Sequence, residues 1–101
     1  MSNVIDFKEL TGKTVICTGG YILGEVTGVN IDTKTWQVVK LHVKLSDTAA
    51  EQLGYKKRFR SSTICIPVTI VQAVADVVNV VLSLKQLGES NEITDCKESN
   101  I

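Results

Sequence analysis

The chain has 101 residues, of which 44% are hydrophobic and 22% charged, as is ordinary for one globular domain. Eleven basic residues balance eleven acidic ones, and this zero formal charge excludes a uniformly basic nucleic-acid coat and a highly charged disordered chain. The three cysteines are widely separated and form no CxxC pair, so the sequence gives no support for a metal site or for dithiol chemistry.

The first part of the chain predicts two strands. β-Branched residues at 14–18 predict the first, and Gly19 with Gly20 permits a reversal of the chain at positive φ. The second runs over 21–31, with Ile22, Gly24 and Val26 on one side of its pleat. Gly28 shifts the phase of its apolar face, which is typical of a β-bulge.

The clearest strand spans 36–45, where apolar and polar residues alternate with a period of two. A four-residue hairpin loop at 32–35 precedes it. Ser46 or Asp47 caps a predicted short helix over 48–53. A further strand contains Ile64 and Ile66 and ends near Pro67.

Residues 68–84 fit two patterns. Their polar side chains recur at spacings of three and four, which is the stripe of a mostly buried helix. However, nine of the fifteen residues from Val68 to Leu82 are β-branched and would lose side-chain freedom in a helix. Propensity therefore favours two strands with a turn at Ala75-Asp76, and the helix remains the alternative.

The predicted organisation is a lead-in over 1–9, one domain over 10–87 and a disordered acidic tail over 88–101. The tail holds four acidic residues against one basic residue. The lead-in lacks the features of a signal peptide, and no apolar run is long enough for a membrane span. The sequence therefore predicts a cytoplasmic protein without a transmembrane segment.

The order and spacing of several short motifs resemble the PRC-barrel domain, and in particular its stand-alone archaeal branch. The residues that carry the resemblance are Leu10, Gly12-Lys13, Val15, Gly20, Leu23-Gly24-Glu25-Val26, Ile31-Asp32, Leu53-Gly54, Ile66-Pro67-Val68, Ala75-Asp76-Val77-Val78 and Ser83-Leu84-Lys85-Gln86-Leu87. Two positions depart from the family pattern, which commonly has glycine at Ala75 and a polar residue at Gly28. The resemblance implies a mainly β fold: a small, strongly bent barrel of about six strands, here with one short helix.

The resemblance also implies function by binding. Short archaeal members are linked to cell division, where they resemble scaffolds that associate with SepF, the membrane anchor of the tubulin-like FtsZ ring, and with PRC-barrel paralogues. The expectation is a non-enzymatic scaffold recruited to mid-cell, with no cofactor, metal or small-molecule substrate. The alternative is an RNA- or ribosome-linked module similar to the barrel domain of RimM.

The residue types give little support for catalysis. His42 is the only histidine, and it lies between Lys40 and Lys44 on the polar face of its strand, where positive neighbours disfavour protonation. The sequence therefore predicts an exposed surface histidine. Cys65 is predicted to be a small buried residue, as is Cys17, and Cys96 a free thiol in the tail.

An apolar surplus predicts an oligomer interface. Strands with apolar residues on both faces are usually covered on both faces, and a barrel this small cannot cover its own outside. The predicted interface of a homodimer or polymer consists of Trp36, Val38, Val77 and Val81. The alternative is that the lead-in folds over this surface.

A basic loop is the second candidate partner site. It consists of Lys56, Lys57, Arg58, Phe59 and Arg60. An acidic partner protein, an anionic membrane surface, a nucleic acid and a merely solvated loop all fit this composition, with nucleic acid less favoured than protein.

Overall fold

Seven strands form one mixed sheet in the computed structural model, which describes residues 4–53, 63–89 and 93–96. The strands are β1 Thr14–Thr18, β2 Ile22–Asp32, β3 Gln37–Leu45, β4 Thr63–Pro67, β5 Val71–Val74, β6 Val78–Ser83 and β7 Thr94–Asp95. Three α-helices accompany them, α1 Phe7–Leu10, α2 Asp47–Leu53 and α3 Leu84–Glu89, with a 3₁₀ turn at Val68–Ile70. The mainly β fold class predicted from the sequence is confirmed.

The sheet is strongly curled. Its order is β5-β6-β1-β2-β3-β4-β7, so β4 and β5 lie five positions apart. In a flat sheet they would be about 24 Å apart, at roughly 4.8 Å per strand. Along the chain, only the 3₁₀ turn Val68–Ile70 joins them, and three residues of 3₁₀ helix rise about 6 Å. The sheet must therefore bend back on itself.

Among the described residues, the curled sheet does not close into the predicted barrel. β5 pairs only with β6, and β7 pairs only with β4, so these two strands are the ends of the sheet. The predicted closure is wrong for a physical reason. To close a barrel, β5 would have to pair with the edge of β4 that faces away from β3. β7 already pairs with that edge at Ile64 and Cys65.

The core lies between the sheet and helices α2 and α3, which contact each other. The largest fully buried aliphatic side chains are Leu23, Ile64, Ile66, Leu87, Val15, Val26, Val43, Val78 and Val80. Each stabilises the fold by about 1.5–3 kcal/mol relative to an exposed side chain. On β3 the predicted alternation holds from Leu41 to Leu45, whereas Val39 is exposed.

Two irregularities set the phase of β2. In the register of β2 with β1, Gly24 lies opposite Val15 and Ile22 lies opposite Ile16, so Leu23 is an extra residue on β2. Leu23 is fully buried. This extra residue turns Ile22 outward, whereas Gly24 and Val26 are buried, so the prediction that all three share one side is wrong. Pairing with β3 shifts between Val26 and Gly28, which confirms the predicted change of phase at Gly28.

The strand–turn–strand interpretation is confirmed over 71–83, where bends at 75–77 join β5 to β6. Helix α3 was not predicted, although its N-terminus carries a sequence signal. The Gln86 N–H donates to Ser83 Oγ at 3.2 Å, and the Ser83 N–H donates to Gln86 Oε1 at 2.8 Å. This reciprocal capping box ends β6 and begins the helix.

The segment predicted as a disordered tail is partly ordered. Gly88 and Glu89 complete α3, and residues 93–96 lie against β4 with Ile93 and Cys96 buried. Ile93 and Cys96 were not predicted to be buried, because most of the residues around them are polar. The remainder of 88–101 lies outside the described residues.

Cys17 gives the folded state a pH dependence. It is buried in β1, as predicted, and burial raises the pKa of its thiol from 9.0 to about 11. The unfolded thiol ionises first, so this contribution to stability is complete below pH 9.0 and is lost as the pH rises towards about 11. Urea unfolding across this window should show a smaller fall in stability for Cys17→Ala than for the wild type. Equal slopes would contradict this account.

Candidate functional site

The β2–β3 hairpin extends beyond the strands on either side of it. β1 pairs with β2 only up to Glu25, and β4 pairs with β3 only from Lys40 to Lys44. Residues 31–39, the hairpin arm, therefore have no flanking strand among the described residues. A two-stranded hairpin standing alone is marginally stable in water, so this arm gains from contact with another surface.

Apolar side chains are exposed on the hairpin arm. Ile31 and Val38 are directly opposed across the two strands, which places their side chains on one face. Val39 lies at the adjacent register shift and is also exposed. At the tip of the arm, Trp36 is 76% exposed. One indole and three aliphatic side chains thus face solvent within nine residues.

The backbone at Trp36 is unusual. Its φ is +58°, and it is the one described residue other than glycine with positive φ. This left-handed conformation costs a side-chain-bearing residue about 1–2 kcal/mol. The turn is held by Asp32, whose carbonyl accepts from the Trp36 N–H at 2.6 Å and whose carboxylate accepts from the Lys34 N–H at 2.9 Å. An exposed indole in a strained turn adds nothing to the core, which points to a role outside the subunit.

The four residues predicted as an oligomer interface lie on separate elements of the fold. Trp36 and Val38 belong to the hairpin arm, with Trp36 in the turn and not in the strand predicted to begin there. Val81 is exposed on β6, and Val77 is half-buried in the bend before β6. Strands β1 and β2 separate β6 from β3 in the sheet.

The described part of the lead-in lies elsewhere. Val4 and Ile5 line a shallow hollow together with β5 and the bend that follows it. Ile5 packs against the core, whereas Phe7 is exposed. This part of the lead-in leaves Trp36 exposed.

A second candidate site lies where β3, β4 and β7 meet. His42 on β3 is directly opposite Cys65 on β4, and Cys65 forms a disulfide bond with Cys96, the residue after β7. A ring nitrogen of His42 and the two sulfur atoms all lie within 4.8 Å of one another. The prediction of a free thiol at Cys96 is therefore wrong, because the pairing of β7 with β4 brings it to Cys65.

His42 is held by its neighbours and is not an exposed surface residue. It is half-buried, and Nε2 donates a hydrogen bond to Oδ1 of Asn30 on β2. Burial lowers the pKa of His42, which differs from the predicted cause, the adjacent lysines. The imidazole is therefore neutral at physiological pH, and its Nδ1 carries the lone pair.

No local pattern in the sequence predicts this cluster. Cys65 and Cys96 are 31 residues apart, and His42 lies on a different strand from either. The pairing of three strands places them together. From the alternation along β3, His42 was correctly predicted to face away from the core side chains. The alternation could not predict that the pairing of β7 with β4 places Cys96 near His42.

Three further observations bear on function. The basic loop Lys56, Lys57, Arg58, Phe59 and Arg60 lies outside the described residues, so its role as a partner site stays a prediction. Among the helices that the structure describes, none has the length and apolar content needed to cross a bilayer. Comparison with protein-family models and with curated proteins gives no match.

Proposed function

We propose that the chain is a non-enzymatic scaffold that associates with a second copy of itself through the hairpin arm. Trp36 is the observation that carries the proposal, since the residue is 76% exposed and has a backbone conformation that opposes folding. Tryptophan is the residue type most enriched among the residues that dominate binding energies at interfaces. Burial of the Trp36 side chain against a partner would give a function to its exposure and to its unfavourable backbone conformation.

Charge favours a second copy as the occupant. The arm carries one acidic residue and one basic residue, Asp32 and Lys34, and the whole chain has zero formal charge. Two copies therefore approach without long-range repulsion, and the arm offers no charged patch that would select a strongly acidic or basic partner.

The arm also offers main-chain groups. The strand edges within 31–39 have no flanking strand among the described residues, so they can pair with the same edge of a second arm. Such a contact is two-fold symmetric and places the Ile31 and Val38 pair of each copy in the shared region. Hydrogen bonds then set the register while Trp36 supplies the buried apolar area.

The cellular role that we propose comes from the motif resemblance. A scaffold of PRC-barrel type in archaeal cell division would work at the division site and bind SepF and PRC-barrel paralogues, with self-association raising the number of binding sites per assembly. The curled six-strand part of the sheet, with β7 added at its edge, is compatible with this proposal.

Trp36→Gly should have opposite effects on stability and association. Glycine relieves the positive φ, so the free energy of unfolding should rise by about 1 kcal/mol. Loss of the indole should weaken self-association at least about tenfold. Light scattering across a concentration series measures the association, and urea unfolding measures the stability.

Matched variants separate the two effects. Trp36→Ala removes the indole but keeps the strained conformation, so it should lose association without gaining stability. Val81→Ala truncates an exposed side chain on a distant strand and should leave association unchanged. A wild-type protein that remains monomeric at high concentration would overturn the self-association proposal.

The proposal for SepF has its own test. Purified SepF immobilised on beads should retain the wild-type chain over a range of salt concentrations and should retain a PRC-barrel paralogue with it. Empty beads under all conditions would remove SepF from the proposal while leaving self-association standing.

A further inference from the structure

We propose that the reduced Cys65 and Cys96 thiols, together with His42, bind a divalent ion of the zinc class. The two sulfur atoms and a ring nitrogen of His42 lie within 4.8 Å of one another in the disulfide form. In a tetrahedral zinc site, bonds of about 2.0–2.3 Å place neighbouring ligand atoms about 3.6 Å apart. Small side-chain rotations after reduction therefore suffice to surround an ion.

The donor set selects the kind of ion. Two thiolates and one imidazole form a borderline-soft set, which suits zinc and disfavours magnesium or calcium. Both cysteines are buried, and His42 is half-buried. Water completes the fourth position, as at zinc sites with three protein ligands.

The surroundings of His42 are those of a metal ligand. The imidazole donates from Nε2 to Oδ1 of Asn30, and such a bond on the outer nitrogen fixes the tautomer and orientation of metal-binding histidines. The remaining nitrogen, Nδ1, is then the coordinating atom.

The oxidation state decides whether the site exists. A dithiol reductant transfers two electrons and two protons to the Cys65–Cys96 disulfide, which yields two thiols and leaves the reductant as a disulfide. Each thiol then loses its proton on binding the ion. A cytoplasmic location, which the sequence predicts, favours the reduced form.

Either the bound ion or the disulfide can cross-link segment 93–96 to β4. Residues 93–96 are joined to β4 by two cross-strand residue pairs, by the Cys96 N–H, which donates to the Thr63 carbonyl, and by the disulfide. Reduction removes the strongest of these links. Coordination by Cys65 and Cys96 restores a cross-link at the same point, so segment 93–96 stays on β4 in either state.

Cobalt(II) titration of the full chain tests the proposal. After treatment with a phosphine reductant, the chain should bind one Co²⁺ with a thiolate-to-cobalt absorption band and the visible bands of a tetrahedral ion, and Zn²⁺ should displace it. The oxidised chain should show neither. Zn²⁺ should also raise the melting temperature of the reduced chain only.

Variants assign the ligands. His42→Ala should weaken Co²⁺ binding at least tenfold without removing the thiolate band at high cobalt concentration. Asn30→Ala should weaken it about 10–100-fold, and Asn30→Asp, which keeps the acceptor oxygen, should restore it. Cys17→Ala is the matched thiol control and should bind as the wild type does.

Three results would overturn the proposal. They are a reduced chain without the thiolate band, equal binding by the oxidised chain, and a band that disappears in Cys17→Ala. His42→Ala retains both thiols, so it tests the imidazole even where replacing a buried cysteine prevents folding.

Discussion

Gly24→Ala is expected to lower the free energy of unfolding by about 3 kcal/mol or more. A Cβ at this position would overlap the Lys44 carbonyl oxygen and would lie 2.9 Å from the Leu45 Cα. Both are backbone atoms of β3, the strand directly paired with Gly24. A rigid backbone cannot move aside as a side chain does, so the central β2–β3 ladder must separate locally.

Gly28→Ala is the matched control in the same strand. Its methyl group would lie nearest to the His42 side chain, 3.2 Å from Nδ1, and a side chain can shift by a few tenths of an ångström where a backbone cannot. The cost should be about 1 kcal/mol. Urea unfolding followed by circular dichroism measures both variants, and similar losses would show that the close approach at Gly24 does not control stability.

Cys96→Ser should destabilise the oxidised protein by about 2–4 kcal/mol, because the wild-type disulfide restricts the unfolded chain over a long loop. The two cysteines are 31 residues apart. The variant also frees the segment that places Ile93 in the core. Urea unfolding without reductant measures the difference in stability between the two proteins. Both the midpoint urea concentration and the slope of the free energy of unfolding against urea concentration should change.

Reductant provides the control for this prediction. Metal-free wild type in reductant should lose the same stability, and Cys96→Ser should not respond to reductant at all. A disulfide that contributes nothing would leave wild type and variant with the same midpoint in the absence of reductant.

Local patterns predicted most of the strands because their information is carried by neighbouring residues. The alternation around Leu41 and Val43, and the cap at Ser46, whose Oγ accepts from the Ala49 N–H at 3.1 Å, are local features. Helix α3 was missed although Ser83 and Gln86 stand at capping-box spacing, because the β-branched run before them favoured extending the strand.

The rest depends on contacts between distant parts of the chain. The open sheet results from β7 taking the edge of β4, and the cluster at His42 results from the same pairing. The left-handed backbone at Trp36 is set by the turn that Asp32 holds. Composition and periodicity predicted that Trp36 and Val38 would be exposed, but they did not predict that β1 and β2 separate them from Val81.

The parallel pairing of β1 with β6 has a consequence for biosynthesis. Thr18 on β1 donates its hydroxyl hydrogen to the Val80 carbonyl, 62 residues further along the chain. A ribosome synthesises the chain from its N-terminus at about 5–20 residues per second. Several seconds therefore pass between the synthesis of β1 and the synthesis of β6. The β2–β3 hairpin needs only local closure and can form first. During that interval β1 has one unprotected edge, and occupancy of that edge by a chaperone would guard the nascent chain against aggregation.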